Sequence, residues 1–306
     1  MSDTKKEKSI VLKIDVDTYE GMKDGVPKLL QTLKKTGVKA TFCLSFGPDN
    51  SGKAIFKLFK DPKFLKKMLK TGAPKLYGWR TVLSGTLIPA KDIALSFPDL
   101  VKEIEQQGHE VIVHAWNHRH WQDHLHKMDK EAIRKEFRNS FNAYKKILNK
   151  SPHAVAAPGW QTNPLSLEVE DELGLLYASD LRNGPPCFLR FKNKTFKTLQ
   201  IPTTGLCIEE LLTIGIRDEK ELKHNLLTSV LDAPYPVMAV HAEVEGGIFN
   251  DFFEREIIPY IKEKNYNILT LKELSQQLLT HKDSIPTRDF CWIELPGRSG
   301  TVASSC

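Results

Sequence analysis

Cysteine is scarce in this chain and poorly placed for any joint task. The five present (Cys43, Cys187, Cys207, Cys291 and Cys306) are odd in number and scattered, with no CxxC pair. Such spacing predicts neither a disulfide framework nor a cysteine zinc site, and it suits a reducing compartment. Long apolar runs are missing too. No stretch approaches the length that spans a bilayer, so no spanning helix is expected. The opening residues, MSDTKKEKS, are polar with no apolar region behind them, which argues against a secretory signal. No repeat, low-complexity tract or long linker divides the 306 residues. These absences lead us to expect a cytoplasmic protein built on one large domain.

What is present is globular: 41% hydrophobic and 27% charged residues, with a net charge of +6. That excess suits an anionic membrane surface, a phosphorylated substrate or nucleic acid. No basic face with interleaved aromatics appears, so no nucleic-acid partner is expected. Short apolar runs alternate with amphipathic stretches. Strands are expected at 10–15, 40–44, 110–114, 154–157, 175–179, 199–202, 237–241 and 267–271. Helices are expected at 25–36, 98–107, 130–148, 220–231, 249–264 and 271–279. Repeated β-then-α units argue for an α/β fold with a parallel sheet, and this many favour a complete or distorted (β/α) barrel. In such a barrel, chemistry collects at the C-terminal strand ends. The expected organisation is a flexible start (1–9), one barrel domain (10–281) with an insertion at about 47–97, and a loosely ordered tail (282–306). Inside the insertion, KAIFKLFK and KFLKKMLK flank Asp61-Pro62; Phe64, Leu65, Met68 and Leu69 form one helical stripe opposite lysines. Such a helix can lie in an anionic membrane interface or simply pack on the barrel.

Five stretches could carry chemistry, and each falls at or just past an expected strand end. Asp15 and Asp17 in IDVDT share a face if the strand persists, and paired carboxylates call for a cation or a shared proton. His114 and His118 have an H-x3-H metal-ligand spacing, whereas His109 should lie at the opposite barrel end. His120, His124 and His126 look like surface residues. His241 ends the run PVMAV and could be an acid, a ligand or a core residue; Glu243 and Glu245 follow it. Asp180 and Arg182 lie in SDLR. The turn Pro158-Gly159-Trp160 could aim backbone N–H groups into a site.

These residues resemble those of the polysaccharide deacetylase superfamily, the NodB-like carbohydrate esterases, whose fold is a distorted (β/α) barrel. The resemblance implies one divalent metal (zinc, manganese, cobalt or nickel) on Asp17, His114 and His118, with Asp15 as base and His241 as acid. KIDVDT, FGPDN (46–50), LYGW (76–79), HAWNH, SDLR and HAEVEG are similar to the strings of one subgroup. That subgroup deformylates a formamido sugar joined through phosphate to a polyprenyl chain. A lipid-linked sugar phosphate substrate is thereby implied, with contact at the cytoplasmic face of the inner membrane. So is a role in lipid A modification and polymyxin resistance. Two departures stand out: Val16 separates the aspartates, and Ala156-Ala157 stand where the family usually carries a base-orienting arginine. Arg182 is the expected substitute for that arginine. Asp180 or a nearby glutamate is expected to hold His241 in its tautomer. Pro158, Gly159, Trp160 and Glu243 are expected at the substrate, with Trp116 or Trp160 selecting formyl. The rival readings are another N-acyl sugar deacetylase and a barrel that only binds; the second expects a replaced ligand or acid, and none is replaced.

Overall fold

Period-two alternation in the first strand sets the layers of the molecule. The computed structural model describes residues 8–53, 81, 84–86 and 88–306. In β1 (Ser9–Val16), Ile10, Leu12, Ile14 and Val16 face one way and join the main hydrophobic core. Val11 faces the other way into a smaller inner cluster with Cys43, Ile112, Tyr177 and Leu199. Because successive strand residues point to opposite faces, Lys13 and Asp15 share Val11's inner side.

β1 lies parallel between β2 (Thr41–Ser45) and β9 (Val237–His241), with β10 (Asn267–Leu269) beside its first residues. The parallel sheet continues through β3 (Glu110–Ala115), β4 (Ala154–Val155), β5 (Tyr177–Ala178) and β8 (Leu199–Gln200). The circuit closes loosely: the Thr204 N–H donates to the Val237 carbonyl, and the Val237 N–H donates to Thr204 Oγ1. The result is a curled, distorted (β/α) barrel, as expected.

The outer layer is helical: α1 (Val26–Thr36), α2 (Pro98–Gln106), α3 (His118–His124), α4 (Lys130–Leu148), α5 (Pro164–Leu173), α6 (Ile208–Thr213), α7 (Glu219–Leu231), α8 (Ile258–Glu263) and α9 (Leu271–Leu279). Local chemistry fixes their ends. Asp129 caps α4 by accepting the Ala132 N–H, and Thr270 and Glu273 form a reciprocal capping box on α9. His109 lies at the N-terminal end of β3, buried, with Nδ1 accepting the Ala40 N–H.

Two expectations about the end of the chain are corrected. The segment 282–306 is ordered: β11 (Thr287–Glu294) pairs antiparallel with β12 (Thr301–Ser305), and β11 pairs with β6 (Phe188–Phe191), which pairs with β7 (Lys194–Thr195). Val302, Ala303, Ser304 and Ser305 are buried, because their small side chains let β12 lie close against the loop holding Arg182. Cys291 and Cys306 form a disulfide across this hairpin, so the cysteine count does not argue for a reducing compartment. Cys43, Cys187 and Cys207 are free and buried.

Candidate active site

Asp17, His114 and His118 converge at the C-terminal end of the barrel. Asp17 follows β1, His114 sits near the end of β3, and His118 opens α3, whose N-cap Asn117 accepts the His120 N–H. Asp17 Oδ1 is 3.2 Å from His114 Nε2, and Asp17 Oδ2 is 3.3 Å from His118 Nε2. The His114 Nδ1–H donates to the Ala156 carbonyl at 2.7 Å, which fixes the tautomer that turns Nε2 toward Asp17. Burial pushes His118 down to about 4, so its imidazole is neutral at physiological pH. Burial would raise Asp17, but His118 and His114 outweigh it and hold the carboxyl well below its usual range. Asp17 Oδ1 is buried with no hydrogen-bond partner. One ionised carboxylate and two imidazoles, within 4.8 Å of one another, fit a divalent cation. Cys207, Glu209 and His241 also lie close together, but burial pushes the Cys207 thiol well up, which disfavours the thiolate a metal needs.

Asp15 lies one inward step before this cluster, 3% exposed. Its partner is Lys13, whose Nζ donates to Asp15 Oδ2 at 3.0 Å from a fully buried side chain. Burial would raise Asp15, yet Lys13, His114 and His241 hold it below the ordinary carboxylate value. Asp15 Oδ1 has no hydrogen-bond partner. His241 ends β9 directly beside Asp15 in the strand register. Its Nδ1 is ion-paired at 3.0 Å with Glu209 on α6, and its backbone N–H donates to Glu245. Burial would lower His241; Glu209, then Asp17 and Asp15, hold it well above 6.5, so it carries a proton.

Arg182 does not orient Asp15. Both its terminal nitrogens bind Glu210, at 2.8 and 2.9 Å, one also bonds the Gly205 carbonyl, and its guanidinium covers Trp160. The cation on Asp15 is Lys13, which sequence reading missed although it shares the inward parity of Asp15. Asp180 does not hold His241 either: its Oδ1 accepts the Ala157 N–H at 2.7 Å, fixing the backbone next to the Ala156 carbonyl that anchors His114. Glu209 takes the place expected for Asp180, and no local motif marks it. Glu243, expected at the substrate, is buried. Its Oε1 accepts the Asp17 and Thr18 N–H groups and the Thr18 hydroxyl, and burial together with Asp17's charge pushes its pKa to about 8.

The Pro158–Trp160 turn offers fewer free amides than expected, since the Trp160 and Gln161 N–H groups bond the Ala157 and Pro158 carbonyls. Trp160 donates its indole N–H to Thr203 and stands edge-on to His241 at 6.3 Å. Gly47 of FGPDN gives its N–H to the Trp116 carbonyl, and a Cβ there would lie 2.7 Å from the Trp116 ring. Asp49 accepts the Tyr19 N–H, tying this loop to IDVDT. LYGW (76–79) lies outside the described residues.

The family model for polysaccharide deacetylases matches residues 2–178. A Shewanella sediminis protein named as a probable 4-deoxy-4-formamido-L-arabinose-phosphoundecaprenol deformylase is 34% identical over 293 residues, covering 95% of this chain and 93% of that one. A protein of the same name from Wigglesworthia glossinidia brevipalpis is 31% identical over 284 residues, covering 92% and 97%. Among solved structures, a Mycobacterium smegmatis protein described as a polysaccharide deacetylase superposes with a TM-score of 0.64 at 17% identity, covering 96% of this chain and 98% of that one. At that identity the likeness concerns the fold.

Proposed function

The chain belongs to the polysaccharide deacetylase family, and we propose that within it this protein deformylates 4-deoxy-4-formamido-L-arabinose-phosphoundecaprenol. The products are formate and 4-amino-4-deoxy-L-arabinose on the same lipid. The observation that carries this reading is similarity along almost the whole chain to two proteins named for that activity. Support comes from the site, where every side chain the chemistry needs is present at one barrel end.

Asp17, His114 and His118 would hold the divalent ion, and zinc, manganese, cobalt and nickel all suit such donors. When bound, the ion supplies Lewis acidity toward the formyl oxygen and lowers the pKa of water. Asp15 takes a proton from the water that attacks the formamide carbon, and Lys13 keeps that carboxylate ionised and in place. His241 gives a proton from Nε2 to the sugar nitrogen as the C–N bond breaks, because an amide leaves poorly as an anion. Glu209 on Nδ1 fixes the tautomer and keeps the ring charged until that moment. Formate release from the lipid-linked substrate by metal-resupplied protein tests the reading; no release with any of the four ions overturns it.

A lipid-bound substrate implies work at a membrane surface, and the inner membrane's cytoplasmic face is the proposed place. Lipid A modification and polymyxin resistance are the proposed setting. Among the described residues no helix is long and apolar enough to cross a membrane. The basic amphipathic stretch proposed to touch anionic lipid lies, apart from Lys53, outside the described residues. Polar replacement of Phe64, Leu65 and Leu69 is expected to reduce sedimentation with phosphatidylglycerol vesicles; unchanged sedimentation removes this contact.

A further inference from the structure

The turn of the C-terminal hairpin packs against α6, the helix that carries Glu209. Gly297, at φ +80°, lies so close to α6 that a Cβ would stand 2.4 Å from the Glu210 carbonyl oxygen. The next residue, Arg298, places its guanidinium over Trp160 at 4.7 Å, on an indole that also carries the Arg182 guanidinium at 4.3 Å. Buried and with both guanidiniums on its ring, Trp160 offers no open face to a sugar; its plane stands perpendicular to that of His241.

The charges here do not balance. Arg182 engages both Glu210 oxygens closely, and the Cys207 N–H also donates to Glu210 Oε2. Arg298 reaches Glu210 Oε1 and the Gly159 carbonyl only at 3.4 Å each, and its side chain stays 19% exposed. Two guanidiniums therefore share one carboxylate, and the surplus positive charge sits on the more exposed of them. A guanidinium presents paired donors that match a phosphate's oxygens.

The chemistry fixes where the substrate's own charge falls. In the deformylase reading His241 protonates the sugar nitrogen, so the sugar lies beside His241, whose ring is 6.3 Å from Trp160, the ring that Arg298 covers. The nitrogen is on C4 and the phosphate on the anomeric carbon, so the anion lies across the ring from the reacting bond. We propose that Arg298 is the phosphate-binding residue, and that the terminal hairpin exists at this site to read the sugar-phosphate linkage. This rests on the deformylase reading above.

The test compares two substrates, 4-deoxy-4-formamido-L-arabinose carrying a short-chain polyprenyl phosphate and the phosphate-free methyl glycoside of the same sugar. The quantity read is the ratio of their kcat/KM values. Arg298→Ala is expected to reduce that ratio at least tenfold, mainly through KM for the phosphate ester. Arg298→Lys, a point charge without the fork, should recover part of it. An unchanged ratio overturns the proposal. So does an equal fall on both substrates, which would make Arg298 a brace for Glu210 alone. If the wild-type protein releases formate from neither compound, the deformylase reading fails instead. Phosphate binding is then read from the Tm rise caused by inorganic phosphate: a rise lost in Arg298→Ala supports the site, and no rise removes it.

Discussion

Lys13 and Asp15 are two inward-facing residues on one strand, and their charges decide each other's state. Burial alone would neutralise both; together they stay ionised, Lys13 raised and Asp15 lowered. Removing one partner of a buried pair leaves the other uncompensated, at a cost of about 3–5 kcal/mol. Lys13→Met is expected to destabilise the protein by roughly that amount in denaturant unfolding. It should also cut formate release at neutral pH by about 10²-fold with metal content unchanged, because base catalysis contributes on that order. Loss of metal along with activity would place Lys13 in folding alone. Glu209 acts on the opposite proton. It raises His241, so it extends the protonated acid toward higher pH. In Glu209→Gln the His241 pKa falls, and the alkaline limb of kcat/KM must move to lower pH. A limb that stays put, or moves up, contradicts the acid role. Lys13 was legible in advance, since the two-residue period that groups Asp15 with Asp17 groups Lys13 with both. Glu209 was not: it reaches His241 only because α6 packs against the end of β9, a tertiary fact with no local pattern.

Elements were readable wherever burial leaves a period. Each expected barrel strand appears, because apolar runs such as EVIV and PVMAV have little else to do than sit between helices and a packed interior. The ranges 130–148 and 271–279 match α4 and α9 end to end, and Asp129 and the Thr270–Glu273 box cap their first turns. The second sheet was illegible. TVASS looks like a polar tail, yet its small residues are what allow a strand to slide against the Arg182 loop. Glycines in that hairpin allow a direct test. Gly297 and Gly300 share φ +80°, but a Cβ on Gly300 meets nothing within 4 Å, whereas one on Gly297 strikes α6. Gly300→Ala should cost only backbone strain, about 1 kcal/mol, and Gly297→Ala about 1–3 kcal/mol more. Equal midpoints in urea unfolding would mean that the turn does not press on the helix that carries Glu209.

Across the whole molecule, the parallel barrel brings residues from distant stretches to one end, as α/β barrels do. β1 supplies Lys13 and Asp15, the residue just past it is Asp17, β3 and its following helix supply the imidazoles, and β9 supplies His241. The hairpin from the far end of the chain sets Arg298 over Trp160. Fold alone does not confer chemistry, but here the groups proposed as acid, base and metal donors accompany it. The measurement that tests this most directly follows formate release from 4-deoxy-4-formamido-L-arabinose-phosphoundecaprenol. Metal-stripped protein would be resupplied with zinc, manganese, cobalt or nickel in turn, beside a His114→Ala variant treated alike. Stoichiometric formate and a deformylated lipid are expected from the wild type with at least one ion. Both bound metal and turnover are expected to be lost in the variant. Formate released at full rate by the stripped protein, or by the variant, would contradict the proposed metal role.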